Sequence, residues 1–218
     1  MSSPSPEPER VARYFHEHAV DFDTIYDESR KGKVRELRDR LSRGTVVERL
    51  TFVDDLVRND PPGRVLDVGC GSGRFSVSLA RRGWEAVGLD FAEEMFTLAR
   101  DMADEAGVAD RCRFVVADFL DWHDDEPFDL GLAVGVFDYV AEPALLLAKL
   151  AAACSGRVVA SFPKRYHPLV PIRWARLRAA GCPVHFYVRG QVEALGRAHL
   201  RRASVVSFKR DYLLVGER

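Results

Sequence analysis

Residues 65–73 read Val-Leu-Asp-Val-Gly-Cys-Gly-Ser-Gly, and this stretch carries more chemistry than any other part of the chain. Three glycines at alternate positions, Gly69, Gly71 and Gly73, allow a tight turn whose backbone can lie close against a ligand. Val65 to Val68 is apolar apart from Asp67 and has the character of a buried strand, and a helical pattern starts at Arg74. Strand, glycine-rich turn and helix together form a nucleotide-binding geometry. A dinucleotide turn requires a further glycine three residues after the second, and that position holds Arg74. Asp67 would also repel a pyrophosphate seated over the helix start. A ligand ending in an ammonium or sulfonium cation would be attracted instead. A purely structural turn, or another nucleotide fold, is the alternative.

The spacing Asp-x-Gly-x-Gly-x-Gly resembles motif I of the class I S-adenosylmethionine-dependent methyltransferases. The resemblance implies S-adenosylmethionine as cofactor, with Asp67, Gly69, Cys70, Gly71 and Gly73 around its methionine portion. Later residues fall in matching places. The apolar stretch Trp84 to Leu89 ends in Asp90, where a carboxylate at a strand tip can accept from both ribose hydroxyls. Capping the helix that starts near Ala92 is its structural alternative. Asp118 and Phe119 follow a third strand; the family pattern gives such an Asp to the adenine amino group, with the next residue holding the ring. An ordinary loop Asp is the alternative there. Phe91, Met95 and Val134 complete the cofactor contacts that the resemblance implies. No metal is expected.

The acceptor side is less defined. Reaction in an open α/β sheet takes place beyond the carboxyl ends of the strands, which directs attention to Leu132-Ala-Val-Gly-Val-Phe-Asp-Tyr139. It lacks the Asn/Asp-Pro-Pro-aromatic motif of nucleic-acid amino-methyltransferases, and no Pro-Cys nucleophile is present. Asp138 and Tyr139 are candidate contacts to the acceptor, though Asp138 could instead cap a helix. If the acceptor is a hydroxyl or amine, a base must remove a proton, and His16, His167, His185 and Tyr139 are the candidates. A carboxylate acceptor needs none. Aromatic residues including Tyr14 and Tyr26 could cover the cofactor or simply pack a helix. Between residues 163 and 188 stand Lys164, Arg165, Arg173, Arg176 and Arg178, with no acidic residue. Arg165, Arg173 and Arg176 suit an anionic acceptor; a solvated helix face is the alternative.

These residues need a scaffold, and the chain alternates accordingly. Residues 1–8 read as a disordered tail, residues 9–58 as a helical cap with helices over 9–20 and 46–57. Strands are expected at 64–68, 84–89, 113–117, 128–134, 157–162, 203–208 and 212–216. Helices are expected at 74–82, 92–106, 143–153 and 191–199, and 163–188 interrupts the alternation as an insertion. Strands alternating with helices predict a doubly wound α/β fold with a mostly parallel seven-stranded sheet. The final pair, joined by Lys209 and Arg210, reads as a hairpin with an antiparallel last strand, an ending that the methyltransferase resemblance implies. Residues 59–218 would form the cofactor-binding domain.

At 218 residues with 47% hydrophobic content the chain can bury a substantial core. A net charge of −1 gives no global pull toward nucleic acid or an anionic membrane, and neither partner is expected. With no apolar run of membrane-spanning length and no signal-peptide pattern, cytoplasmic residence is the default. The four cysteines, Cys70, Cys112, Cys154 and Cys182, lack metal-ligand spacing, and Cys112 and Cys154 lie at or near strand starts.

The expectation is methyl transfer to a small-molecule acceptor, by oxygen or nitrogen methylation. The stretches Val11 to His16, Lys33 to Arg38 and Glu48 to Leu50 are also similar in layout to magnesium-protoporphyrin O-methyltransferases, so a porphyrin-type carboxylate is one alternative. A scaffold that binds S-adenosylmethionine without turnover is another. An RNA methyltransferase would need a broad basic face or an added module that the chain does not display.

Overall fold

The computed structural model describes residues 10, 11, 13, 14 and 33–218, and the first of these, Arg10, Val11, Arg13 and Tyr14, are helical. Helix α1 (Lys33–Leu56) leads into strand β1 (Arg64–Val68), α2 (Arg74–Ala80), β2 (Glu85–Asp90), α3 (Glu94–Glu105), β3 (Cys112–Val116) and β4 (Phe128–Ala133). Then follow α4 (Pro143–Ala153), β5 (Cys154–Pro163), α5 (Val170–Ala179), α6 (Arg189–His199), β6 (Arg201–Ser207) and β7 (Asp211–Glu217). The seven strands form one sheet in the order β3-β2-β1-β4-β5-β7-β6. The β1–β2, β1–β4, β2–β3 and β4–β5 pairs are parallel. Strand β7 runs antiparallel to both β5 and β6. The doubly wound sheet with an antiparallel last strand is therefore as expected.

Two-residue periodicity explains how the sheet is buried on both faces. Along β1, Val65 joins one apolar cluster and Leu66 the other; Val158 and Val159 on β5, and Leu213 and Leu214 on β7, divide the same way. One face is covered by Leu146, Leu147 and Leu150 of α4 and Val192 of α6. The opposite face is covered by Val53 of α1 with Phe75 and Leu79 of α2. Strands buried on both sides must be apolar throughout, which is why Asp67 stands out in β1.

Three differences from the sequence expectations have local causes. Helix α1 begins at Lys33 rather than at residue 46, because the charged stretch before Val46 consists largely of good helix formers. Strand β5 starts at Cys154 and ends at Pro163, longer at both ends than expected, since β4 pairs with it at Phe128↔Cys154 and β7 pairs with it as far as Pro163↔Asp211. The insertion, given no element of its own in the sequence pattern, contains α5, opened by Pro171 in its first turn. Cys112 and Cys154 do stand at the first positions of β3 and β5, and all four cysteines are free.

Candidate cofactor and acceptor site

Strands β1 and β4 are neighbours, yet the chain leaves them toward opposite edges of the sheet, which opens a crevice beyond their carboxyl ends. The glycine turn lies at this point. Gly69 and Gly71 have φ of 68° and 51°, the left-handed region that other residues enter with strain. At Gly69 a side chain is also excluded by space, because a Cβ there would stand 2.5 Å from Val136 Cγ2. Gly71 differs: its Cβ position meets only Met95 Cε, at 3.6 Å, so this side of the turn is open. The turn is tied to β2 by Gly69 N–H and Cys70 N–H, which donate to Leu89 O at 2.7 and 3.0 Å.

Two carboxylates bracket the turn. Asp67 is buried (1% exposed) and its Oδ2 accepts from Ser76 Oγ at 2.7 Å. Burial pushes its pKa up to about 7, opposed by the hydrogen bonds from Ser76 and assisted by the charge of Asp90. Asp90 accepts from Gly71 N–H at 2.8 Å and from Ala92 N–H at 3.1 Å. Its carboxyl is also raised, mainly by burial. Asp90 therefore pins the tip of β2 to the glycine turn and closes a local turn at Ala92. Helix α3 starts later, at Glu94, and has no side-chain cap. Burial, Asp67 and Asp90 together hold the Cys70 thiol well above its usual range. Two desolvated carboxylates in one turn disfavour an anionic ligand and favour a cationic one. Open space at Gly71 and spare carboxylate lone pairs fit the cationic, hydroxyl-bearing cofactor inferred from the sequence.

On the adenine side, Asp118 is half-buried and its Oδ1 accepts from Leu120 N–H at 2.8 Å. The ring of Phe119 is 3% exposed and belongs to the larger core, with Lys149 Nζ 5.3 Å above it. Its side chain thus also packs the core, a role the sequence reading did not give it. Phe91 is exposed, Met95 is buried beside the turn and Val134 is half-buried against the α1–α2 face.

The acceptor-side candidates sort into two groups. Past β4, Val136 packs against Gly69 and a short 3-10 turn, Phe137–Tyr139, follows. Asp138 is 3% exposed and pairs with Arg173 of α5, which also donates to Tyr139 Oη at 3.2 Å. Asp138 Oδ1 has no hydrogen-bond partner among the described residues. Burial raises the Asp138 carboxyl, an effect that Arg173 opposes. The same chain segment is held by His185 N–H, which donates to Asp138 O at 2.7 Å, and by Tyr187 Oη, which donates to Phe137 O at 3.0 Å. Tyr14 is buried with Val11, Leu177 and Cys182, against Tyr139. Asp138, Tyr139, His185, Arg173 and Tyr14 thus converge.

His167 does not join them: its Nδ1 accepts from Leu169 N–H at 3.2 Å, and burial with nearby Arg210 lowers its pKa. Arg165 and Arg176 are exposed. The expected anionic pocket of three arginines is not assembled, because Arg173 is matched by a buried carboxylate and the other two face outward. Tyr26 and His16 lie outside the described residues.

Sequence reasoning missed several supports of this site. Ser76 holds Asp67, and Ser161 Oγ accepts from Gly135 N–H at 2.7 Å. Arg49 Nη2 meets buried Asp211 Oδ2 at 2.6 Å, joining α1 to β7. The 162 positions between Arg49 and Asp211 left no local signal of that pair. Among the described residues no group of side chains could hold a metal ion, and no helix is long and apolar enough to cross a membrane.

Comparison with known proteins bears on both the turn and the whole fold. Residues 65–156 match the family model described as a methyltransferase domain. A ubiquinone biosynthesis O-methyltransferase of Hahella chejuensis is 39% identical over 104 residues, covering 47% of this chain and 43% of that protein. A second, of Maricaulis maris, is 31% identical over 143 residues and covers 66% and 56% respectively. The chain therefore spans about half the length of the curated relatives it matches. Among solved structures, a magnesium protoporphyrin IX methyltransferase of Synechocystis PCC 6803 with bound SAH superposes with a TM-score of 0.77. It is 18% identical and covers 97% of this chain and 99% of that one, so the likeness is one of fold. The family match spans β1 to the start of β5, and the structural likeness extends the same architecture to the final hairpin. Local sequence and whole-chain topology thus agree: residues 65–156 match a methyltransferase domain, and the fold built around them is that of the superposed methyltransferase.

Proposed function

We propose that the chain binds S-adenosylmethionine and catalyses transfer of its methyl group to an oxygen of a small-molecule acceptor. The observation that carries this reading is the open glycine turn bracketed by Asp67 and Asp90, a buried anionic cradle at the switch point of the sheet. Asp67 and the backbone of residues 69–73 would hold the methionine portion, Asp90 the ribose and Asp118 the adenine. The cofactor supplies an already activated methyl group, so the protein's part is orientation and exclusion of water. Asp138, Tyr139 and His185 stand on the acceptor side, where the segment carrying them lies against Gly69 through Val136. Oxygen as the acceptor atom is supported by the names of the ubiquinone biosynthesis O-methyltransferases. An anionic acceptor would have to draw on Arg165 and Arg176, or displace Asp138 from Arg173. Four free thiols fit a reducing compartment such as the cytoplasm.

Isothermal titration with S-adenosylmethionine and with NAD tests the cofactor: binding of the first alone is expected, and its failure to bind overturns the reading. Labelled-methyl transfer to phenol, carboxylate and amine pools then tests the acceptor, with labelled phenols or carboxylates expected. Exclusive labelling of amines would refute the oxygen assignment. A second reading, in which the fold serves something other than methyl transfer, is favoured by the [4+2]-cyclase SpnF, whose structure matches at a TM-score of 0.66 and 18% identity over 95% of this chain and 77% of that one. Tight binding with no labelled product from any pool or cell extract would select it.

A further inference from the structure

The stretch between β5 and α6 presents a face that neither the glycine turn nor the Asp138 cluster uses. In α5 only Leu177 is buried. Tyr166, Ile172 and Trp174 are 84%, 68% and 47% exposed, and Leu169 is 37% exposed. Large apolar side chains exposed singly are ordinary, whereas four between residues 166 and 174 form a patch. Tyr166 and Trp174 border a shallow groove of about 590 Å³ whose walls include Val170, Val184 and Phe186.

The charge carried by this stretch itself has one sign. Residues 163–188 contain five basic residues and no acid, a local surplus that the net charge of −1 conceals. Two of the five are committed: Arg173 to Asp138, and Lys164 to Ser207 Oγ at 2.8 Å. Arg165, Arg176 and Arg178 are exposed and make no ion pair with a described residue. Glu193 is spent on Arg189, and exposed Glu142 adjoins the groove beside Pro143. Arg178 Cζ lies 5.2 Å over the Trp174 ring.

We propose that this face docks the protein on an anionic lipid bilayer. Tryptophan and tyrosine favour the headgroup level, and isoleucine and leucine favour the acyl boundary just below it. Arginine stems can lie along apolar surface while their guanidinium groups meet lipid phosphates. The surplus of arginine over acid in residues 163–188 complements a surface of lipid phosphates, and the aliphatic Leu169 and Ile172 have no role in stacking nucleic-acid bases. Because Arg173 ties the same helix to Asp138, docking brings the acceptor side of the sheet toward the lipid. This surface stands on its own exposure and charge and does not rest on methyl transfer.

Co-sedimentation of the full chain with vesicles of phosphatidylcholine, and of equimolar phosphatidylcholine and phosphatidylglycerol, tests the proposal. Binding to the anionic vesicles is expected to exceed binding to the neutral ones by roughly tenfold or more, and to weaken with salt. Tryptophan fluorescence should shift to the blue on binding. Trp174→Phe should remove that shift, since Trp84 is buried and Trp122 half-buried. Ile172→Glu with Trp174→Glu should abolish binding with circular dichroism and thermal transition unchanged. Arg176→Glu with Arg178→Glu should erase the preference for phosphatidylglycerol. Equal binding to both vesicle types, or wild-type binding by either double variant, would overturn the proposal. So would a dimer in sedimentation velocity that Ile172→Glu dissociates in a protein that ignores vesicles.

Discussion

Asp67 illustrates how one side chain can be both structural and functional. Unliganded, it is a buried acid with a pKa of about 7, held by Ser76. A cation arriving beside it favours its ionised form, so affinity for S-adenosylmethionine should increase as pH rises through about 7. Titration calorimetry across that range checks this, and Asp67→Asn should bind more weakly with a flatter pH profile. Stability carries the opposite sign. The folded pKa lies above the ordinary value of 3.8, so the native state holds the extra proton between the two. The stability contribution of Asp67 is therefore full below about pH 4 and is lost as pH rises through about 7. Melting temperature of the unliganded protein, compared with Asp67→Asn over this window, should show that loss only in the wild type. At Gly69 the prediction is steric. Gly69→Ala would place a Cβ against Val136 at positive φ and should cost roughly 1–3 kcal/mol in chemical denaturation. Both residues were legible in the sequence, because glycine and a lone acid in an apolar strand are local anomalies. Ser76 was not, since a serine inside a helix is unremarkable until Asp67 is placed beneath it.

Among the elements, α5 is the one whose position depends on few contacts. Among the described residues it is held by Leu177 and by Arg173, which pairs with Asp138, donates to Tyr139 and so bridges the insertion and the turn after β4. Arg173→Ala would leave Asp138 buried without its counter-charge. Breaking a buried pair typically costs about 3–5 kcal/mol, and partial exposure of Arg173 reduces the expected loss to about 2–3 kcal/mol. Denaturant unfolding measures it, and Asp138→Asn combined with Arg173→Met should recover part of the loss by removing the charge that was left alone. A kinetic consequence accompanies the thermodynamic one. If α5 positions the acceptor side, the single variant should lower methyl transfer while S-adenosylmethionine affinity stays within about twofold, because Arg173 contacts Asp138 and Tyr139 and neither carboxylate that brackets the glycine turn. Positions of α2, α4 and α6 were readable from periodicity and from their glycine and proline boundaries. The length of α1 and the presence of α5 were not. A charged amphipathic stretch reads equally well as solvated loop or helix until its one buried side chain has found a partner.

For the molecule as a whole, the proposed cofactor links folding to binding. At S-adenosylmethionine concentrations near one hundred times its dissociation constant the native state gains about 2.7 kcal/mol, which for a chain of this size raises the melting temperature by roughly 5–10 °C. NAD should leave it unchanged in the same thermal scan. The alternation of strands and helices, the short link of the final hairpin and the cofactor turn were all present as local patterns in the chain. Each depends on residues within a few positions of one another: two-residue alternation, helical periodicity, glycines that release the backbone. The acceptor side had no such signature. Arg173 read as one of several arginines suited to an anion, and folding set it against a carboxylate 35 positions away. Phe119 read as a cofactor contact, and its ring lies in the larger core. Arg49 and Asp211 carried no signal at all. Charge pairing and burial are properties of neighbours in space, and for residues that far apart along the chain only the closed sheet and its covering helices determine who those neighbours are.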